Sequence, residues 1–270
     1  MIFTEVDFDR NGKQQGFLQL PYSHNLGAWA NLLIPITVVK NGIGPTALVL
    51  GGTHGDEYQG PIAIMKLARE LRPEMVSGRI IMIPTLNEPA TRVATRLSPL
   101  DGKNLNRAFP GAADGSPTEQ IAYYVTHVLF PLCDVMIDIH SGGRTLTFYP
   151  CTCIHRVDDK AQQRNMLEST LAWNADFLMF YLTDIAGTGL LPVEAGRQGK
   201  VVVTTEMGGS ESVPSSTHRL TQEGLRNVLI HCRVLEGKEQ TRESLGLPPT
   251  KVVQSLTKKD YLLAPESAIL

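Results

Sequence analysis

The sequence predicts an α/β fold: a mixed, mostly parallel central sheet flanked by helices. Three observations carry that expectation. Short apolar runs recur at residues 46–50, 79–84, 135–140 and 201–205, as strands buried on both faces require. Amphipathic helical patterns alternate with them, over residues 118–132, 159–174 and 216–235 and from Pro61 onward. The chain has 270 residues, 42% hydrophobic and 19% charged. That is a globular composition, with room for one large domain and a small appendage.

The elements follow in order. Residues 16–20 and 32–39 are β-rich and separated by a polar loop. They read as antiparallel edge strands, with Pro35 near an edge or a bulge. The run 46–50 ends in Gly51-Gly52, and the helical pattern from Pro61 sets Ile62, Met65, Leu67 and Leu71 as its apolar positions. Residues 79–84 form a short buried strand. Ser116 or Thr118 caps the next helix, with Pro117 at its start. Residues 135–140 and 201–205 are further buried strands. The last helix carries Leu220, Leu225, Val228, Leu229 and Val234 on its apolar face. Residues 1–240 are expected to form one domain. Residues 241–270 read as a linker, marked by Pro248-Pro249, and the beginning of an incomplete C-terminal β domain around Tyr261-Leu262-Leu263-Ala264.

Charge and composition narrow the function. There are 25 Lys and Arg against 27 Asp and Glu, a formal charge of −2. That balance gives no electrostatic footprint for nucleic acid or for an anionic membrane surface. The first seven residues carry neither a basic nor an apolar signal region. No apolar run approaches the roughly 20 residues of a membrane span. Four cysteines are too few for a disulfide scaffold of this length and suit a reducing, cytoplasmic compartment.

The chemistry gathers at strand ends. Gly51-Gly52-Thr53-His54-Gly55-Asp56-Glu57 follows a buried strand and precedes a helix, at the carboxyl edge where open α/β sheets bind ligands. His54 and Glu57 are three residues apart and can face one point. A lone His-x-x-Glu is a weak pattern, more often a solvated loop. His140 changes that balance, since it too ends a buried strand and is followed by Ser141-Gly142-Gly143. Two His and one Glu supply the three protein ligands of a catalytic zinc site. Asp138, two residues before His140 on an extended strand, points the same way and can orient the ring. Glu206 ends another strand before Met207-Gly208-Gly209 and suits a base for the attacking water. Asn106 and Arg107 suit a carboxylate. Arg92 and Arg96 lie upstream, where a cation can polarise a scissile carbonyl.

Taken in order, His54-x-x-Glu57, Leu105-Asn106-Arg107-x-Phe109-Pro110, Asp138-x-His140 and Glu206 with its glycines resemble the succinylglutamate desuccinylase/aspartoacylase family, a branch of the zinc carboxypeptidase fold. The resemblance spans roughly residues 45–235. It implies one Zn²⁺ per chain on His54, Glu57 and His140, in a zinc hydrolase catalytic domain at residues 1–240. It further implies Glu206 as base and acid, and Asn106 and Arg107 on the substrate carboxylate. Arg96, in preference to Arg92, is implied on the carbonyl, and Arg197 as a second substrate-binding arginine. Within the family, Gly-Gly-Thr-His-Gly-Asp-Glu-Tyr-Gln-Gly-Pro and Asp-Ile-His-Ser-Gly-Gly-Arg are similar to the N-acetyl-diaminobutyrate deacetylases. The implied substrate is a small N-acyl amino acid, and the missing wall of the site would be absent or come from a neighbouring subunit of a homo-oligomer. Two rivals stay open. One is a zinc carboxypeptidase acting on peptides. The other is a non-catalytic metal-binding protein using Cys151, Cys153 and His155, which alternate on one side of a strand.

Overall fold

The structure is a computed structural model and describes residues 1–25, 27–181 and 189–254. The first half runs β1 (Phe3–Thr4), β2 (Gly12–Pro21), β3 (Asn31–Asn41), β4 (Thr46–Gly51), α1 (Gln59–Glu70), β5 (Gly78–Ile83), α2 (Glu88–Arg92), α3 (Pro117–Tyr124) and α4 (Phe130–Leu132). The second half runs β6 (Val135–His140), β7 (Cys151–Ile154), α5 (Lys160–Leu171), β8 (Phe177–Phe180), α6 (Leu191–Arg197), β9 (Val201–Glu206), α7 (Ser215–His231) and β10 (Lys251–Gln254). Among the described residues no helix is long and apolar enough to cross a membrane.

One ten-stranded sheet has the order β1-β2-β3-β5-β4-β6-β9-β7-β8-β10. The centre is parallel, with β4 between β5 and β6, and β6 beside β9. Strands β4, β5 and β6 are buried along their whole length, which is why they read as unbroken apolar runs. The expected antiparallel pair is β2 with β3. Pro35 pairs with Phe17 in that ladder, and it lies outside the stretch of β3 that β5 engages, Thr37–Asn41. A missing N–H costs no bond to β5 there.

The sheet separates two cores. On one face Leu48, Leu50, Met136 and Val202 pack with Ile121, Val125 and Phe130. On the other, Val49, Ile137 and Val203 pack with Ile64 and Leu67 of α1 and Leu225 and Val228 of α7. Helix α1 turns a different face inward from the one the apolar pattern suggests. Pro61, Ala63, Ile64, Leu67 and Ala68 are buried, while Met65 is 40% exposed, because the buried set follows the 3.6-residue period. Helix α7 stops at His231, short of 235, since Arg233 takes φ +59° and reverses the chain. Val234 and Leu235 still reach the core beyond that turn. Helix α3 starts where Ser116 and Pro117 place it, with the Ser116 N–H donating to Glu119 Oε2 at 2.8 Å. Its last turn passes through a π segment, Val125–Leu129, into α4.

Residues 241–254 do not stand apart from this unit. The Arg242 guanidinium is buried and donates to Asn174 O at 2.6 Å and to Asp176 Oδ1 at 2.7 Å. Strand β10 then pairs in parallel with β8, Lys251 opposite Phe177. The segment expected to be a linker thus adds a strand to the main sheet. The β-like stretch expected at Tyr261–Ala264 lies outside the described residues.

The turn after β4 is pressed against α2. A Cβ on Gly55 would lie 2.1 Å from the Ala90 carbonyl carbon, and the Gly55 N–H donates to Thr95 O at 2.9 Å. Only a residue without a side chain lets His54 and Glu57 sit on either side of that contact. Gly55→Ala is expected to destabilise the fold by about 1–3 kcal/mol or more, the size of an overpacked core site. Urea unfolding measures it, and a change within about 0.5 kcal/mol would show that the turn is free to move.

Candidate metal centre and substrate cavity

Strands β4, β6 and β9 end at one level of the sheet. Their register puts Gly51 beside Ile139, and His140 beside Glu206. The chain leaves β4 for β5 on one side and returns to β6 on the other, so the crevice at their carboxyl ends is a topological switch point. The turn from β4 delivers His54 and Glu57 to that crevice, and β6 delivers His140.

These three side chains converge. His54 is 3% exposed, Glu57 2% and His140 6%, and one donor atom from each lies within 4.8 Å of the other two. His54 Nδ1 is 2.7 Å from Glu57 Oε1, and His140 Nδ1 is 2.8 Å from Glu57 Oε2. The far nitrogens are engaged elsewhere: His140 Nε2 donates to Asp138 Oδ2 at 2.6 Å, and His54 Nε2 donates to Asn104 Oδ1 at 3.1 Å. Asp138 is fully buried and also accepts from Thr53 Oγ1 at 2.9 Å.

The electrostatics fit a cation. With both Nε2–H groups donated outward, a neutral ring turns its Nδ1 lone pair toward the Glu57 carboxylate. That contact is favourable only with a positive charge between them, a proton or a metal ion. Burial alone pushes the Glu57 carboxyl up, but the His140 and His54 rings outweigh it and hold it far below the usual range. Burial likewise pushes His140 down, yet the Asp138 and Glu57 carboxylates raise it well above the usual histidine value. Two imidazole nitrogens and one carboxylate oxygen are the donor set of many catalytic zinc sites. Asp138 orients a ring in the way carboxylates commonly do behind such ligands.

A cavity of about 360 Å³ opens over the triad. It is lined by Arg96, Asn106, Arg107 and Glu206 as well as His54, Glu57 and His140. Arg96 Nη1 stands 3.3 Å from His54 Nδ1 and 3.4 Å from Glu57 Oε1, whereas Arg92 pairs with Glu88 on α2. Asn106 is buried, and its Oδ1 accepts from the Leu191 N–H at 2.9 Å. Arg107 reaches the cavity while Nη1 donates to Asn106 O at 2.6 Å. Burial, then the Arg96 charge, lowers its guanidinium from the usual value. Glu206 is half-buried, and its Oε2 is shut off from water with no hydrogen-bond partner among the described residues. Burial pushes this carboxyl up to about 8, against the pull of His140.

Arg197 is the one expected site residue that the structure does not bring to the cavity. It ends α6, is largely exposed, and pairs with Glu194 one turn earlier at 2.7 and 2.8 Å. Its position on the helix, not its distance in sequence from Glu206, decides where it points. Cys151, Cys153 and His155 do not converge either. Cys153 lines the cavity, but His155 lies beyond the end of β7, with Nδ1 3.5 Å from the Tyr181 hydroxyl. Among the described residues His54, Glu57 and His140 are the group of three placed to hold an ion.

Three further residues belong to the site. Asn104 holds His54 and also accepts from the Asn106 N–H at 2.9 Å. Its two-residue spacing from Asn106 was a usable signal. Thr53 anchors Asp138. Tyr181 lines the cavity, and nothing in its local sequence announces that, because it depends on how β8 pairs with β7.

Buried strand ends, a convergent His-Glu-His group and a cavity beside it define an α/β protein with a preorganised metal-binding geometry. The chain belongs to the succinylglutamate desuccinylase/aspartoacylase family, whose catalytic-domain model matches residues 43–232. It is 46% identical over 239 residues to the N-alpha-acetyl-L-2,4-diaminobutyric acid deacetylase of Halomonas elongata, a match covering 88% of this chain and 70% of that one. It is also similar to the product-bound structure of the ectoine utilization protein EutE (DoeB) from Ruegeria pomeroyi, with a TM-score of 0.90, 42% identity, and 95% and 76% of the two chains covered. A succinylglutamate desuccinylase from Silicibacter sp. TM1040 superposes with a TM-score of 0.88 at 43% identity, over 93% of this chain and 74% of that one.

The hydrogen bond from His140 to Asp138 makes a sharp expectation. Asp138→Asn should weaken zinc binding by roughly 10–100-fold, the usual cost of losing a carboxylate behind a ligand histidine. His140→Ala should abolish stoichiometric binding, and Cys151→Ser should leave it intact. Zinc titration with a competing chelator reads all three, and full zinc retention in His140→Ala removes that residue from the ligand set.

His155 gives an expectation for pH. It is 2% exposed, and a Cβ on Gly196 would lie 2.5 Å from its Nε2. Burial lowers its pKa from 6.5 to about 4. The unfolded chain therefore binds a proton that the folded chain refuses. This group's stabilisation is complete above about 6.5 and is lost as pH falls toward about 4. His155→Gln should flatten the fall in stability across that window by up to one proton, about 1.4 kcal/mol per pH unit. Denaturant unfolding at a series of pH values checks it, and an unchanged slope would mean that His155 titrates normally.

Proposed function

We propose that the chain is a zinc-dependent amidohydrolase that removes the acyl group, acetyl in the first instance, from an N-acyl amino acid such as N-acetyl-2,4-diaminobutyrate. The products are the free amino acid and a carboxylate. The observation that carries this reading is the meeting of the His54-Glu57-His140 group, Glu206, Asn106 and Arg107 around one cavity. The Halomonas relative, an N-alpha-acetyl-L-2,4-diaminobutyric acid deacetylase at 46% identity, supports the acetyl group and the amino acid.

The roles follow from the chemistry. Bound on the triad, zinc supplies a Lewis acid that activates water and polarises a carbonyl. Arg107 and Asn106 hold the substrate's α-carboxylate, the guanidinium fork matching two oxygens while the amide adds a donor. Arg96 faces the carbonyl oxygen and stabilises the charge that grows there. Glu206 accepts the proton of the attacking water and passes it to the departing amine. Its buried Oε2, without a hydrogen-bond partner among the described residues, suits a group that must be protonated and deprotonated within one cycle. The buried thiols of Cys133, Cys151 and Cys153 suit a reducing compartment, and we place the protein in the cytoplasm.

Replacing Glu206 by Gln keeps shape and hydrogen-bonding reach but removes the base. Turnover of N-acetyl-2,4-diaminobutyrate should fall roughly 10²–10⁴-fold, the range of a general acid–base contribution, with zinc content unchanged. Arg107→Ala should instead raise KM strongly. Steady-state kinetics on zinc-loaded protein separate the two effects, and near-normal turnover in Glu206→Gln takes that residue out of the mechanism.

A further inference from the structure

The alternation Cys151-Thr152-Cys153 is a motif that the proposed reaction does not use. Strand β7 runs antiparallel to β9, with Cys151 opposite Glu206 and Cys153 opposite Thr204. Residues paired across a ladder share a face, and Glu206 and Thr204 both line the cavity. Both thiols are therefore on the cavity side of the strand. Cys153 lines the cavity itself, where its ladder partner Met179 and then Tyr181 continue the wall. The two thiols are free and buried, and near enough to act on each other. Hydrogen bonding with Cys153 lowers the Cys151 thiol, while Cys151 first and burial second raise Cys153 well above its usual value. The other two cysteines lie apart from this pair: the Cys133 thiol donates to Phe130 O at 3.5 Å, and Cys232 Sγ is 3.7 Å from Ser169 Oγ.

Two residues apart on an extended strand, Cβ atoms are about 6.6 Å apart and point the same way, whereas a disulfide needs about 3.5–4.5 Å between them. A direct S–S bond would pull β7 off its neighbours. Two Cβ–Sγ bonds turned toward each other along the strand close much of that gap, so one atom that bridges two sulfurs fits where a disulfide does not. We propose that Cys151 and Cys153 are a dithiol site for trivalent arsenic, open to the substrate cavity, and that an organoarsenical bound there blocks that cavity. An arsenoxide, R–As=O, condenses with the pair. Two As–S bonds form, the As=O bond and both S–H bonds break, and the oxygen leaves as water with the two protons. Arsenic stays trivalent, so no oxidant or reductant takes part. Two sulfurs and the carbon of R complete its three bonds, so His155, turned toward Tyr181, is not required. The cavity of about 360 Å³ has room for one aromatic ring, and Phe148 and Met179 offer it apolar contact. A ring there excludes substrate from Glu206. The loss of activity rests on the proposed function; the adduct does not.

The test uses phenylarsine oxide, added stoichiometrically to zinc-loaded protein. Intact-mass spectrometry should show one phenylarsenic group per chain with two hydrogens lost, and peptide mapping should place it on Cys151 and Cys153. Cys151→Ser and Cys153→Ser should each raise the concentration for half-maximal labelling by about 100-fold or more, because the second As–S bond forms at high effective concentration. Cys133→Ser and Cys232→Ser should not move it. Excess 2,3-dimercaptopropanol should remove the group, and excess 2-mercaptoethanol should not. Turnover of N-acetyl-2,4-diaminobutyrate should be lost in proportion to the adduct, at unchanged zinc content, and return with the dithiol. Circular dichroism verifies folding, and if a variant does not fold the wild-type map decides. No adduct, an adduct on Cys133 or Cys232, or undiminished labelling of both folded variants overturns the site. Full turnover by the labelled protein overturns the blockade. If the protein hydrolyses no N-acyl amino acid but the mapped adduct forms, the amidohydrolase reading fails and the dithiol site stands.

Discussion

The Glu57 carboxylate, 2% exposed and held between two imidazoles, is the interaction around which the rest of the molecule is arranged. It belongs to one buried polar chain: Thr53 to Asp138, Asp138 to His140, His140 to Glu57, Glu57 to His54, and His54 to Asn104. The Ser141 N–H closes it by donating to Glu57 Oε2 at 3.1 Å. Removing two carboxylates and two rings from water costs several kcal/mol per ion before their mutual attraction offsets it. An apolar set of the same volume would serve folding as well. The network is therefore a cost of the site, and the apolar strands on either side of it must carry the stability.

Those strands also set its geometry. The triad needs residues distant in sequence to arrive within a few ångströms, and a parallel sheet achieves this by ending neighbouring strands at one level. The ladder of β6 with β9 continues to the last pair, His140 opposite Glu206. A slip of one residue would turn both side chains to the opposite face, into the core of α1 and α7. Full burial of β6 fixes the register, so the same packing that holds the sheet together aims the ligand and the carboxylate into one cavity.

This explains which parts of the site were legible in the sequence. His54, His140 and Glu206 each follow an apolar run and precede glycines, and position at a buried strand end is a local property. Asp138 was readable for the same reason, since the two-residue period carries it to the face of His140. Arg197 was not, because spacing along the chain says nothing about which side of a helix a residue occupies. Glu194, three residues earlier, was the available signal that it would be captured. Strand β7 shows in the alternation of Cys151, Cys153 and His155, but β8, four residues long, has too little pattern to announce itself, and α2 and α6 are short helices with proline in their first turn. The wall formed by Cys153, Met179 and Tyr181 depends on pairings between such short strands. It becomes visible only when the sheet is assembled.

Arg96 shows how the charges at the triad constrain one another. Its Nη1 approaches His54 Nδ1 and Glu57 Oε1, two atoms of the group placed to hold an ion. A guanidinium and a metal ion cannot share those atoms, since like charges at such separations repel by several kcal/mol even at the effective dielectric of a protein surface. The Arg96 side chain is about half exposed, at 46%, whereas Glu57 and both histidines are buried. The mobile cation is therefore the one with room to move, and the rigid donors keep their places. The Arg107 guanidinium already feels the charge of Arg96, so Arg96 is not free to move toward Arg107 without further repulsion. An oxygen that develops negative charge between the triad and the two arginines would lower all these repulsions together. This is the position that the scissile carbonyl takes in the proposed reaction, and it gives Arg96 an electrostatic reason to face that oxygen.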